Sequence, residues 1–219
     1  MKKESLILLD TNICIYRTLA FVEPKIYARE DLDKVKNKID NLTNNNFKCK
    51  CIISNLVISE LKSDNILYWE VNKFCVTKLH MKPYEGLKML QQVKKSMEKF
   101  ILKYSIDSDL FEKIKGYDSN SRAIEQFYLK FPYKLYKLTQ MKISGLNPKQ
   151  KQIKINQRPQ NLPEEADRKL LGQAIEIDKI HNSEVYIFSN DRDFTEFVEE
   201  IPIHFNIGIL RINDEIYLP

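Results

Sequence analysis

Leu6-Ile7-Leu8-Leu9-Asp10-Thr11-Asn12 is the stretch that decides the fold: four consecutive apolar residues run straight into an acid, a hydroxyl and an amide. So short an apolar run, bounded by polar residues, predicts a strand buried on both faces, as in a parallel sheet. Lys50–Ile53, Val185–Phe188 and Ile207–Ile212 read as three further strands. Helical sequence fills the intervals. It runs from Thr11 to about residue 45 in two pieces interrupted at Pro24, and Asn41–Asn46 is a polar break. Ser54 suits an N-cap for a helix through Leu56, Val57, Ser59, Glu60 and Leu61. Residues 66–145 read as largely helical, with Leu87, Leu90, Val93, Met97, Ile101 and Tyr104 close to a 3.6-residue period. Asn147-Pro148 through Pro163 reads as a polar, proline-marked connection. Pro163 suits the first turn of a helix striped by Leu170, Leu171, Ala174, Ile177 and Ile180, and a short helix is expected over Asp191–Glu200. Strands alternating with helices predict an α/β fold with a central, mainly parallel sheet flanked by helices.

The 219 residues suit a single domain over 1–219. An apolar fraction of 43% is enough for a core, and 30% charged residues of nearly balanced sign argue against a disordered chain. No apolar run approaches the roughly 18 residues of a membrane span, and the run after Met1-Lys2-Lys3 stops at Asp10, too short for an export signal. Cys14, Cys49, Cys51 and Cys75 form no Cys-x-x-Cys, so reduced thiols in a cytoplasmic protein are expected rather than a zinc module or a disulfide framework.

Charge is unevenly distributed. Residues 71–160 hold 19 Lys/Arg against 7 Asp/Glu, whereas residues 161–219 hold 5 against 13. A basic helical middle beside an acidic end suits a polyanion-binding surface next to a site built of carboxylates. Sites in open parallel sheets form beyond the carboxyl ends of the strands. Asp10 follows the first strand directly, and Ser189-Asn190-Asp191-Arg192-Asp193-Phe194 follows the third. Asp167 lies three, four and seven residues before Leu170, Leu171 and Ala174, so it shares their apolar face; Glu60 relates similarly to Leu56 and Val57. A carboxylate on a core-facing stripe is costly unless it is paired or bound to metal.

Leu8-Leu9-Asp10-Thr11-Asn12, Glu60 after the second strand, Ala166-Asp167 opening an apolar helix, and Ser189–Phe194 together resemble the PIN-domain nucleases, in the family's order. The resemblance covers about residues 1–65 and 160–219. It implies a PIN-like three-layer fold, with 71–160 as a basic helical insertion that the family pattern does not cover. It further implies that Asp10, Glu60, Asp167 and Asp191 are catalytic metal-site acids with Asp193 as an accessory, Glu70 being the alternative to Glu60. Asn12 and Ser189 would orient those carboxylates. The implied activity is Mg²⁺- or Mn²⁺-dependent RNA hydrolysis leaving a 5′-phosphate, in a toxin-type, RNA-processing or defence enzyme. The partners this admits are RNA, an antitoxin or other protein, and a second copy in a homodimer, with no membrane. Phosphatases that also begin with a strand and an aspartate want Asp-x-Asp there, and position 12 is Asn.

From Phe127 to Lys137 aromatics interleave with lysines, a pattern that suits both an amphipathic helix with an aromatic core face and an RNA-binding surface. Lys130, Lys134, Lys137, Lys149, Lys151, Lys154 and Arg158 are the candidate RNA-binding cations. A catalytically weak PIN-like RNA-binding or scaffold module is the alternative function. A phosphatase or DNA-flap nuclease on a related fold stands third.

Overall fold

The computed structural model describes residues 5–22, 30–43, 49–77, 82–105, 120–181 and 183–214. Four parallel strands, β1 (Ser5–Leu9), β2 (Cys49–Ile52), β3 (Val185–Phe188) and β4 (Ile207–Leu210), lie in the order β2-β1-β3-β4. Ile7 of β1 pairs with Cys51 on one side and Tyr186 on the other, and Ile187 of β3 pairs with Ile209. All five residues of β1 are buried, which is why its sequence is apolar throughout rather than alternating. Ile53 adds a parallel bridge to Ser105, its N–H donating to the Tyr104 carbonyl at 2.6 Å. A Cβ on Gly208 would meet the Tyr186 ring at 2.2 Å, so only glycine fits opposite that aromatic.

Helices α1 (Thr11–Val22), α2 (Glu30–Thr43), α3 (Asn55–Lys62), α4 (Asp64–Thr77), α5 (Pro83–Tyr104), α6 (Ser121–Leu129), α7 (Pro132–Ile143), α8 (Pro148–Asn156) and α9 (Glu165–Ile180) flank the sheet. Two short ones, α10 (Arg192–Thr195) and α11 (Glu200–Phe205), separate β3 from β4. Ser54 caps α3, its side chain accepting from the Val57 N–H. Pro24 lies outside the described residues. The connection expected over Asn147–Pro163 instead contains α8: Asn147 and Gln150 form a reciprocal capping box with Pro148 in the first turn. The single helix expected over Asp191–Glu200 is α10 followed by a turn, with α11 beginning only at Glu200. Pro163 precedes the N-cap Glu164 of α9 rather than entering its first turn.

The basic middle is not a separate appendage. Val93, Met97, Ile101, Phe127, Tyr128, Leu135 and Leu138 belong to the same buried cluster as β1 and β3. Phe127, Tyr128 and Phe131 pack edge-to-face on Phe197, with ring centroids 4.9–6.2 Å apart. Cys14 and Cys51 are buried, and burial pushes the Cys51 thiol up to about 12, so both act as small apolar groups. Among the described residues no helix is long and apolar enough to cross a membrane.

Candidate metal centre

Strand order reverses between β1 and β3, because the chain moves from β1 outward to β2 and then returns past β1 to β3 and β4. The carboxyl ends of β1 and β3 therefore border the crevice where open α/β sheets form their sites. Asp10 ends β1 and is 6% exposed. Its Oδ1 accepts from the Thr11 N–H at 2.7 Å, and its Oδ2 accepts from Asn12 Nδ2 at 2.8 Å and from Ser189 Oγ at 2.5 Å. Ser189 Oγ also accepts the Asp191 N–H at 2.9 Å, so one buried hydroxyl ties the two strand ends together. Asn12 adds a second tie, its Oδ1 accepting the Asn190 N–H at 3.3 Å.

Asp191 N-caps α10, its Oδ1 accepting the Asp193 N–H at 2.8 Å. Asp167, in the first turn of α9, approaches from the side: carboxylate oxygens of Asp167, Asp191 and Asp193 lie within 4.8 Å of one another. Glu60 stands at the edge of this group, its Oε2 accepting from the Thr11 hydroxyl. The side chain of Glu70 lies outside the described residues.

Two cations complete the cluster, both from the basic middle. Lys142 Nζ donates to Asp191 Oδ1 at 2.8 Å and to Asp193 Oδ2 at 2.6 Å. Arg158 is 2% exposed and grips Asp193 with both arms, at 2.7 and 2.9 Å, while its Nε donates to Thr139 Oγ1 at 3.2 Å. This corrects the expectation that Arg158 seats an RNA backbone: its guanidinium is buried and engaged with protein oxygens. A planar bidentate fork is what a buried carboxylate demands, and arginine, not lysine, supplies it. The other candidate cations divide. Lys130, Lys137, Lys149 and Lys151 are exposed. Lys134 pairs with Glu200 at 2.6 Å and lies over the Phe197 ring, and Lys154 pairs with Glu164.

The electrostatics follow from this crowding. Burial pushes the Asp10 carboxyl up to about 7; the Ser189 and Thr11 hydrogen bonds oppose that shift, and Asp191 and Glu60 add to it. Burial, then Asp191 and Asp193, hold Asp167 well above the usual carboxylate range. Burial would raise Asp193 too, but Arg158, Lys142 and a hydrogen bond from Asp167 bring it down to about 2. Lys142 is depressed by burial, yet the neighbouring Asp191, Asp193 and Asp167 more than reverse this and raise it. Lys142 and Arg158 thus contact Asp191 and Asp193, while Asp10 and Asp167 are raised chiefly by burial and then by their acidic neighbours. All the donors are carboxylate oxygens, a hard set of the kind that suits Mg²⁺ or Mn²⁺. Lys142 and the true place of Arg158 escaped the sequence reading; the one available signal was an arginine standing among lysines between Gln157 and Pro159.

No family model, curated protein or solved structure gives a significant match to this chain.

Proposed function

We propose that this protein is a metal-dependent ribonuclease on a PIN-like three-layer fold, hydrolysing RNA phosphodiester bonds to leave a 5′-phosphate. One observation carries the reading: carboxylate oxygens of Asp167, Asp191 and Asp193 lie within 4.8 Å of one another, the Ser189 hydroxyl ties Asp10 to Asp191, and Glu60 accepts from the hydroxyl of Thr11 beside Asp10. Asp10, Asp167 and Asp191 would hold a Mg²⁺ or Mn²⁺ ion, with Glu60 beside them. Such an ion acidifies water and offsets phosphate charge when bound. The protein's own part is positional. Ser189, Asn12 and the Thr11 N–H fix the Asp10 carboxylate in one orientation, and Arg158 keeps Asp193 ionised and immobile. Lys142 supplies a fixed positive charge at the rim, where a phosphate would enter.

The test is cleavage of single-stranded RNA by purified protein with Mn²⁺, Mg²⁺ or EDTA, beside Asp10→Asn. Metal-dependent cleavage lost in Asp10→Asn by at least about a hundredfold is expected (roughly 2.7 kcal/mol of barrier). Cleavage that survives EDTA, or a folded Asp10→Asn protein of full activity, would falsify the mechanism. The alternative, a catalytically weak RNA-binding module, draws on one feature: Lys142 and Arg158 already neutralise Asp191 and Asp193 from within the chain. Tight, salt-sensitive RNA binding without cleavage under any divalent ion would favour it.

A further inference from the structure

Helix α7 divides its residues sharply. Leu135, Leu138, Thr139 and Ile143 are buried, whereas Tyr133 is 80% exposed and Tyr136 55%, with Lys137, Gln140 and Met141 exposed beside them. Positions 133, 136, 137, 140 and 141 are spaced three and four apart, so they form one continuous face. The aromatic core under this helix is made by Phe127, Tyr128 and Phe131, which leaves Tyr133 and Tyr136 without a packing role. Burial therefore accounts for half of the aromatic-lysine stretch and not for the other half.

We propose that this face of α7 is the track on which single-stranded RNA reaches the carboxylate cleft; the proposal rests on the ribonuclease reading and names its substrate as unpaired. Tyr133 and Tyr136 are the stacking platform for bases, and Lys137 with Lys130, just before the helix, contacts the phosphates. Charge complementarity favours a polyanion over a protein or a lipid surface of mixed charge. Of the nine Lys/Arg in Ser121–Pro163, Lys134, Lys142, Lys154 and Arg158 pair with acids elsewhere, but Arg122, Lys130, Lys137, Lys149 and Lys151 are exposed, and the segment's single acid, Glu125, is itself paired with Arg168. The C-terminal end of this face lies at the cleft: the Met141 sulfur accepts from Arg192, between Asp191 and Asp193, at 3.2 Å, and Lys142 on the adjacent, more buried side of the helix reaches those two aspartates. From Tyr133 to Met141 the helix rises about 12 Å, room for a few nucleotides. An exposed, two-torsion aromatic stacks on any base, so the track prefers single strands without reading sequence. A duplex keeps its bases stacked inside and offers these tyrosines nothing.

The experiment is fluorescence anisotropy of a short labelled oligoribonucleotide in EDTA, so that binding is read without cleavage. Tyr133→Ala/Tyr136→Ala is expected to bind at least tenfold more weakly (about 1.4 kcal/mol). Its dependence on salt should be unchanged, and Tyr133→Phe/Tyr136→Phe should bind like the wild type. Lys130→Gln/Lys137→Gln should flatten the salt dependence, since phosphate contacts set that slope. Because all four side chains are exposed, unchanged circular dichroism and melting temperature are expected to accompany these effects. An alanine variant within twofold of wild type, no binding by the wild type, or duplex RNA competing as well as the single strand overturns the proposal. The two readings fail separately. Normal binding by the alanine variant alongside metal-dependent cleavage removes the track and leaves the nuclease; tyrosine-dependent binding without cleavage does the reverse.

Discussion

Asp10 shows how a single residue can couple the site to stability. Its folded pKa of about 7 lies above the ordinary carboxylate value of 3.8, so between those limits the folded state holds more protons than the unfolded chain. The stability this contributes is fully present below about pH 4 and is lost as pH rises through 7, on the order of 4 kcal/mol across the window. The metal-free protein is therefore expected to melt at lower temperature at pH 8 than at pH 5.5. Added Mn²⁺ should recover more at the higher pH, because a cation then replaces a missing proton. Calorimetry over this range checks both statements, and a melting temperature that rises with pH would contradict them. Arg158 gives the converse case. Arg158→Met removes the bidentate partner of a buried carboxylate and leaves Asp193 with Lys142 alone among the cations that contact it in the described residues, and a loss of about 3–5 kcal/mol is expected in urea denaturation. The salt dependence of RNA binding should not change with it. A loss below about 1 kcal/mol would mean that Lys142 alone suffices to hold the Asp193 charge.

At the scale of the element, α7 matters because it ends at the site. Its buried side fixes it on the core, and its last turn extends Lys142 between Asp191 and Asp193. An ammonium that touches two carboxylates competes with any divalent ion for them. Lys142→Gln is accordingly expected to tighten Mn²⁺ binding several-fold in isothermal titration, while unchanged affinity would show that the amine does not compete. What could be read of these elements beforehand depended on how local their signals are. Strands β1, β3 and β4 were legible as short, largely apolar runs, whereas β2, which carries the exposed Lys50, runs one residue earlier than expected, over Cys49–Ile52; the acids were legible because they follow strands or sit on apolar helical stripes. Helix α8 was missed although Asn147, Pro148 and Gln150 spell its cap, because it has no buried face and hence no apolar period to reveal it. Arg158 was misassigned for a related reason: its partner, Asp193, is 35 residues away, and nothing local separates a buried guanidinium from a solvated one.

For the whole molecule, one sheet whose strand order reverses between β1 and β3 brings acids from four segments to a single crevice, and the lysine-rich middle folds onto the same core. The sequence pattern separated an acidic end from a basic middle; folding makes them adjacent, and two of the basic residues become part of the acidic cluster. That adjacency is what the proposed nuclease would need: carboxylates at the point of cleavage, with exposed lysines and tyrosines beside them to hold the strand. The most direct measurement is anomalous diffraction from crystals of the wild-type protein soaked in Mn²⁺. The account predicts a peak in contact with the carboxylates of Asp10, Asp167 and Asp191, abolished in Asp10→Asn/Asp191→Asn. An intact cleft with no peak, or a peak on another face of the protein, would contradict it.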